Sequence, residues 1–243
     1  MSHGSPVLGD GVPLDPEHLP TGDEKRHAVR SMFDSIAPRY DLVNRIMTFR
    51  LDVRWRRRTI DELGLTAGST ILDLASGTGD LCRELTGRGS VAVGLDLSMG
   101  MLQAARTEAP LVHADILAMP IATGAVDGAT CGFALRNLVE LPGFFRELAR
   151  VVRPGGRIAL LEVAQPRRRV LRWGHELYFG KVVPRIGAVL SDGTAYRYLP
   201  RSVAYLPEPP KLVEAVRSAG FHAVEHQFLT GGIAQLITAT RDS

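Results

Sequence analysis

Cysteine is scarce in this chain: two of 243 residues, Cys82 and Cys131. Two thiols give neither a disulfide framework nor a zinc-binding spacing. Both stand among apolar neighbours, where a thiol behaves as a small hydrophobe, and a reducing cytosol is the expected compartment. No run of roughly 18 apolar residues occurs, which argues against a membrane-spanning helix. The N-terminus shows no basic stretch followed by an apolar one, which argues against a secretory leader. Net charge is only +3, too weak a bias to point to nucleic acid. The seven histidines are scattered. His222 and His226 share a strand face by parity, but no third ligand accompanies them, and no metal is expected. What is abundant is apolar side chain, 45% of the residues, ample for one sizeable core with a small addition.

Residues 1–24 are rich in glycine, proline and acids and lack periodicity, which reads as a disordered lead-in. A single domain is expected over 25–243. It opens with helices over about 25–64. Ile36, Tyr40, Val43 and Met47 recur at helical spacing, Trp55, Ile60 and Leu63 continue in a second segment, and Pro38 separates helices. Strands are then expected at 70–74, 91–96, 111–114, 126–132 and 157–163, with helices at 81–86, 99–108 and 142–152. Such alternation means a parallel sheet covered by helices on both faces. Arg153-Pro154-Gly155-Gly156 reads as a tight turn into the fifth strand. A largely helical insertion over about 166–205 and the N-terminal helices would cap the domain. After a helix at 211–219 come strands at 223–229 and 233–240, joined by Thr230-Gly231-Gly232, a link short enough to demand an antiparallel pair. The fold class is therefore α/β: a doubly wound, mostly parallel, seven-stranded sheet, five parallel strands closed by an antiparallel hairpin.

Two strand ends carry the chemistry. The run Thr70-Ile71-Leu72-Asp73-Leu74 turns through Ala75-Ser76-Gly77-Thr78-Gly79-Asp80 into a helix. A second run, Val91–Leu95, ends in Asp96, about the distance along the chain at which an acid accepts from both hydroxyls of a ribose. Glycines let backbone approach a ligand closely. A nucleoside-type cofactor over the first two strands follows. A dinucleotide would want a third glycine or alanine where Cys82 stands, and Asp80 at the helix start would repel its pyrophosphate. S-adenosylmethionine has no phosphate and carries an ammonium and a sulfonium, which suit a loop flanked by Asp73 and Asp80. It is the expected cofactor, with NAD as the alternative.

Several further segments have a more particular character. They are Met32–Asn44 (MFDSIAPRYDLVN), Phe133-Ala134-Leu135-Arg136-Asn137, Arg153–Arg157 running on to Leu161-Glu162, Pro184–Gly187, Tyr196-Arg197-Tyr198-Leu199 and Leu229–Ile233. With the glycine loop they carry a resemblance to the UbiE/MenG family of quinone-ring C-methyltransferases, spanning about Val29 to Ile233. The resemblance implies the class I S-adenosylmethionine-dependent methyltransferase fold. It also implies C-methylation of a prenylated hydroquinone, demethylmenaquinol first among them. Ala204–Pro210 stands where the family carries a His-Pro-Asp-Gln run, and Ala234-Gln235-Leu236-Ile237 replaces its Ala-Leu-His ending. Both departures lie outside the cofactor loops and bear on which ring is methylated.

The cofactor set expected from the loops and the resemblance begins with Asp73, Ala75, Gly77, Thr78 and Gly79. It continues with Asp96, Leu97 and Met101 and closes with Asp115, Ile116 and Gly132. Asp115 ends the third strand and could accept from an adenine amino group, with Ile116 donating its amide; a turn cap is the plainer role for Asp115. Gly132 replaces the family's usual serine and offers only backbone. Arg136 and Asn137 are the catalytic candidates. Arg136 would stabilise a phenolate or order a water and Asn137 would hold the hydroxyl; a salt bridge from Arg136 to Glu140 or Glu147 is the alternative. Tyr40, Asn44 and Tyr196, with Asp41 and Tyr198, are candidates for the ring pocket. The expected partner is a small-molecule quinol, with no nucleic acid and with a homodimer open. The basic runs Arg54-Trp55-Arg56-Arg57-Arg58 and Arg167-Arg168-Arg169 are either solvated helix faces or a peripheral contact with anionic lipid. A methyltransferase of another aromatic substrate and a non-catalytic cofactor-binding partner protein are the competing functions.

Overall fold

The computed structural model describes residues 21–64, 66–166, 198 and 202–243. Residues 1–20 of the expected lead-in, most of the 166–205 insertion, Tyr196 and the Arg167–Arg169 run lie outside them. Helix α1 (Gly22–Ile36) begins slightly earlier than expected. A 3-10 turn containing Pro38 separates it from α2 (Tyr40–Met47), and α3 (Leu51–Leu63) follows. The alternating part comprises β1 (Thr70–Leu74), α4 (Asp80–Thr86), β2 (Val91–Asp96), α5 (Met99–Gln103), β3 (Leu111–His113), β4 (Val126–Gly132), α6 (Leu141–Val151) and β5 (Val152–Val163). Helix α7 (Pro209–Ser218) leads into β6 (Phe221–Leu229) and β7 (Ala234–Arg241).

The seven strands form one sheet in the order β3-β2-β1-β4-β5-β7-β6. Strands β1 to β5 pair in parallel and β7 inserts antiparallel between β5 and β6. Alternation along each strand sorts the two cores. Leu72, Leu74, Ile158 and Leu160 face the cluster filled by Phe144, Phe145 and Leu148 of α6 and Leu212 and Val216 of α7. Ile71, Ala159 and Leu161 face the opposite cluster, filled by Trp55, Ile60 and Leu63 of α3 and Leu81 and Leu85 of α4. A third cluster joins Met32 and Ile36 of α1, Val43 and Met47 of α2, Met101 of α5, and Tyr198. This cluster fastens the N-terminal helices over the carboxyl ends of the strands.

Four expectations change. The helix after β2 stops at Gln103 instead of continuing to 108, because the Arg106 amide turns to the Thr78 carbonyl at 3.0 Å. The Arg153–Gly156 turn lies inside β5: pairing jumps from Val126–Val152 to Gly128–Arg157, so these four residues loop out of the ladder. A bulge between His222 and Glu225 breaks parity in β6, so His222 and His226 fall on opposite faces. The run Arg54–Arg58 is not one solvated basic face. Trp55 is buried and donates to Thr230 Oγ1 at 2.8 Å. Arg56 is buried between Asp52 at 2.5 Å and Asp80 at 3.4 Å. Arg57 pairs with Glu84 and Arg58 with Glu62.

Helices α1 and α5 meet where Gly100 has no side chain. A Cβ there would lie 2.9 Å from Asp34 Cα and 3.0 Å from its carbonyl oxygen. Alanine normally stabilises a helix relative to glycine. Here Gly100→Ala should instead lower the unfolding free energy by about 1–3 kcal/mol, the usual cost of overpacking, as read by urea denaturation. A neutral or stabilising result would contradict this packing.

Candidate active site

A cavity opens beyond the carboxyl ends of β1, β2, β3 and β4, where the strand order reverses. In doubly wound sheets this is the position that receives ligands. Its empty volume is about 830 Å³, open solvent at the mouth included. Ala75 and Gly77 come from the end of β1, Asp96 to Ser98 from β2, Asp115 to Leu117 from β3, and Gly132 to Ala134 from β4. Met101 of α5, Tyr40 of α2 and Asn137 to Val139 complete that side. Helix α1 closes the opposite wall with Arg26, Val29, Arg30 and Phe33.

The glycine loop is shaped by backbone conformations that side chains resist. Gly77 and Gly79 have φ of 55° and 81°, and a Cβ on Gly79 would strike Thr107 Cγ2 at 2.6 Å. Ala75 also sits at positive φ, 53°. The loop is pinned by a Ser76 amide bond to the Leu95 carbonyl at 3.0 Å and by Asp96. Buried Asp96 accepts the Gly77 amide on Oδ2 at 2.7 Å and the Ser98 amide on Oδ1 at 2.8 Å. Burial raises its pKa against the pull of those two amides and of the Leu97 amide. The carboxylate lines the cavity and keeps acceptor capacity beyond these amides, so a ligand diol can still hydrogen-bond to it. Ser98 Oγ in turn donates to Asp34 Oδ1 of α1 at 2.6 Å, and the Gly100 amide donates to the same oxygen at 2.8 Å.

Of the expected cofactor residues, Ala75, Gly77, Asp96, Leu97, Met101, Asp115, Ile116 and Gly132 line the cavity. Three lie behind it. Asp73 is buried, accepting from Thr130 Oγ1 at 3.1 Å and Cys82 Sγ at 3.4 Å. Thr78 donates its hydroxyl to Asp41 at 2.5 Å and Gly79 caps α4. The expected electrostatics of Asp80 also need correction. Its carboxylate is surrounded by Arg83, by Arg56 at 3.4 Å and by Arg45 at 3.5 Å, so it is neutralised and presents no repulsive charge to a phosphate. Asp115 serves as a turn cap, accepting the Leu117 amide at 2.9 Å, while Oδ2 lies 3.8 Å from Arg26.

Asn137 lines the cavity and accepts from the Tyr198 hydroxyl at 3.3 Å. Arg136 does not reach the lining. It is 5% exposed and ion-paired with Glu162 of β5, not with Glu140 or Glu147. Glu162 also accepts the Arg136 amide at 3.1 Å, and the guanidinium donates to Phe133 O at 2.8 Å and Ser202 Oγ at 3.1 Å. Tyr40 faces the cavity with burial raising its pKa, so its hydroxyl stays a donor; Asn44 holds that hydroxyl from one turn on. Lys25, unremarked in the sequence, fastens α1 to this loop. Its ammonium donates to Arg136 O at 2.9 Å and Leu138 O at 2.8 Å and lies 3.6 Å from the Tyr205 ring centroid. Burial first, then Arg136, lowers its pKa to about 8. The α1 wall was also missed. Arg26, Val29, Arg30 and Phe33 form a helical stripe beside the core stripe of Ala28, Met32 and Ile36, a signal present in the spacing.

The sequence profile of the ubiE/COQ5 methyltransferase family matches residues 21–241. The demethylmenaquinone methyltransferase of Thermus thermophilus is 41% identical over 220 residues, 86% of this chain and 100% of that protein. The ubiquinone/menaquinone biosynthesis C-methyltransferase UbiE of Syntrophotalea carbinolica is 40% identical over 222 residues, covering 87% of this chain and 93% of its own. Among solved structures, the [4+2]-cyclase SpnF superposes with a TM-score of 0.66 at 15% identity, covering 92% of this chain and 98% of its own.

Asp73 gives the site a pH signature. Burial, opposed by the Cys82 and Thr130 hydrogen bonds, raises its pKa from 3.8 to about 7. Between those values the folded chain holds a proton that the unfolded chain has released. This contribution to stability is complete below about pH 4 and is lost as pH rises toward 7. Relative to wild type, Asp73→Asn should therefore gain unfolding free energy across that window, on the order of 4 kcal/mol in total. A urea series over the same range checks it; a pH-independent difference would contradict the assignment.

Proposed function

The chain belongs to the ubiE/COQ5 methyltransferase family, and from that premise we propose that it methylates a ring carbon of a prenylated hydroquinone, converting demethylmenaquinol to menaquinol. The enzyme is an S-adenosylmethionine-dependent methyltransferase. The observation that carries the site assignment is the buried Asp96 carboxylate, braced by two amides and facing a largely apolar cavity. When bound, S-adenosylmethionine supplies an electrophilic methyl on a cationic sulfur that leaves as a neutral thioether.

The residues present fit that cofactor. Asp96 would accept from the ribose diol. Leu97, Met101 and Ile116 provide apolar walls for a purine, with Asp115 and the Ile116 amide at its polar edge. Ala75, Gly77 and Gly132 leave room for a close approach of backbone. The ring would lie toward Tyr40, Asn137 and Phe133. Asn137, held by Tyr198, would bind the ring hydroxyl, and the protonated Tyr40 would donate to a ring oxygen. Arg136 acts behind Asn137: with Glu162 it fixes the 3-10 turn that carries the amide. Asn44, through Tyr40, and Thr78, through Asp41, would support the pocket from behind. Orientation of methyl and ring carbon can contribute roughly 7–11 kcal/mol. A positioned base gives about 10²–10⁴-fold, so the seat outweighs proton transfer. The substrate's tail would place the enzyme at a membrane surface; among the described residues no helix is long and apolar enough to cross one.

Purified protein given S-adenosylmethionine and a short-tailed demethylmenaquinol should yield a product heavier by one methyl, seen by mass spectrometry. Asn137→Ala should lower kcat by about 10–10³-fold, as for loss of one preorganised donor, with cofactor binding unchanged. Arg136→Ala should act on folding first, costing about 3–5 kcal/mol because Glu162 is left buried and unpaired. No turnover of the quinol by a chain that binds the cofactor would defeat the substrate assignment.

A further inference from the structure

The chain is rich in arginine and poor in lysine: Lys25, Lys181 and Lys211 stand against 26 arginines. Lys25 is the unusual cation of α1. It is 4% exposed, and its ammonium meets two carbonyls and a ring but no carboxylate among the described residues. A buried charge without a counter-ion is costly, and the cost shows in a pKa lowered to about 8 by burial and then by Arg136.

The two carbonyls lie on either side of one residue. The ammonium donates to Arg136 O at 2.9 Å and to Leu138 O at 2.8 Å, and Asn137 stands between them. The 3-10 turn Leu135–Asn137 ends at this point. The Asn137 amide donates to Ala134 O at 2.8 Å and the Leu138 amide to Leu135 O at 3.3 Å. Leu138 is then extended, at φ −70° and ψ 145°, and the ladder stops. Carbonyls beyond the last bond of a helix need a partner from elsewhere. An ammonium suits two that converge, since it carries three donors on one compact centre where a guanidinium is a flat fork. The turn is thus held at both ends. Glu162 accepts the Arg136 amide at 3.1 Å on the entry side, and Lys25 holds the exit.

We propose that Lys25 is a positioning residue for the methyl transfer: by holding the carbonyls on both sides of Asn137, it sets the direction from which that side chain meets the ring. Lys25 itself does not line the cavity, whereas Asn137, Leu138 and Val139 do. Its own helix supplies Arg26, Val29, Arg30 and Phe33 to the opposite wall. One side chain therefore fixes the spacing between that wall and the amide. The clamp stands on its own geometry. Its use in catalysis rests on the quinol reading above, in which Asn137 binds the ring hydroxyl.

The test compares the full chain with Lys25→Met, which keeps most of the side chain's length and removes its donors. Amide exchange followed by NMR should run at least about tenfold faster at Asn137 and Leu138 in the variant, with β4 and β5 as in wild type. Affinity for S-adenosylmethionine, by titration calorimetry, should stay within about twofold, whereas kcat for a short-tailed demethylmenaquinol should fall about 10–100-fold through misplacement of Asn137. In that background Asn137→Ala should cost less than about threefold more, because both changes act on one contact. Lys25→Gln, with N–H donors on a side chain one bond shorter, should lie between the two, and it decides the matter if Lys25→Met does not fold. Wild-type exchange at Asn137 and Leu138 in a folded variant would overturn the proposal. So would the full Asn137→Ala loss in the Lys25→Met background. A donor affinity that falls as far as kcat would also overturn it, because a merely loosened α1 would disturb the whole cavity it lines. A wild-type chain that binds the donor but leaves the quinol unmethylated would defeat the methylation reading alone; the exchange comparison would still decide the clamp.

Discussion

The Asp96 carboxylate is the tie on which this architecture converges. One oxygen holds the glycine loop through the Gly77 amide, the other holds the start of the β2–α5 connection through Ser98, and Ser98 passes the tie to Asp34 of α1. Three segments far apart in sequence thus share one buried anion. Hydrogen bonds to a charged acceptor are worth about 1.5–3 kcal/mol each, but burial works against the charge, and its pKa rises accordingly. A ligand that adds donors to the carboxylate would relieve this conflict. A cofactor held by Asp96 would therefore be linked to the α1 wall through one side chain.

Most of the sheet could be read from the chain because β-type runs, strand-end acids and Gly-rich turns recur in an order that admits few topologies. Boundaries failed where a distant partner decides them. Arg106 ends α5 by bonding to Thr78, and the β6 bulge that separates His222 from His226 leaves no mark in the residue pattern. The cavity lining was legible for residues directly after strands: Asp96, Asp115, Gly132 and Asn137 must lie at the carboxyl edge. Depth was not legible. Asp73, Thr78 and Arg136 belong to the same segments, yet each turns inward to a partner, and for Arg136 that partner is Glu162 on the adjacent strand. Neutralisation of Asp80 depends on Arg45 and Arg56 from two helices that only the fold brings to it.

The sheet is shared with enzymes of other chemistry, as the likeness to a [4+2]-cyclase shows, and fold alone does not choose a reaction. The distinguishing parts of this chain are what surrounds the sheet. Lys25 clamps α1 to the turn bearing Asn137, and α2 contributes Tyr40 to the cavity. These elements wall the end of the common sheet with a largely apolar cavity that opens to solvent.

The central claim is that Asp96 anchors the methyl donor. Isothermal titration of S-adenosylmethionine into wild type and Asp96→Ala, with folding of both checked by circular dichroism, tests it most directly. Loss of two charge-assisted hydrogen bonds should weaken binding on the order of 100-fold or more. A folded Asp96→Ala that binds the donor as wild type does would contradict the account.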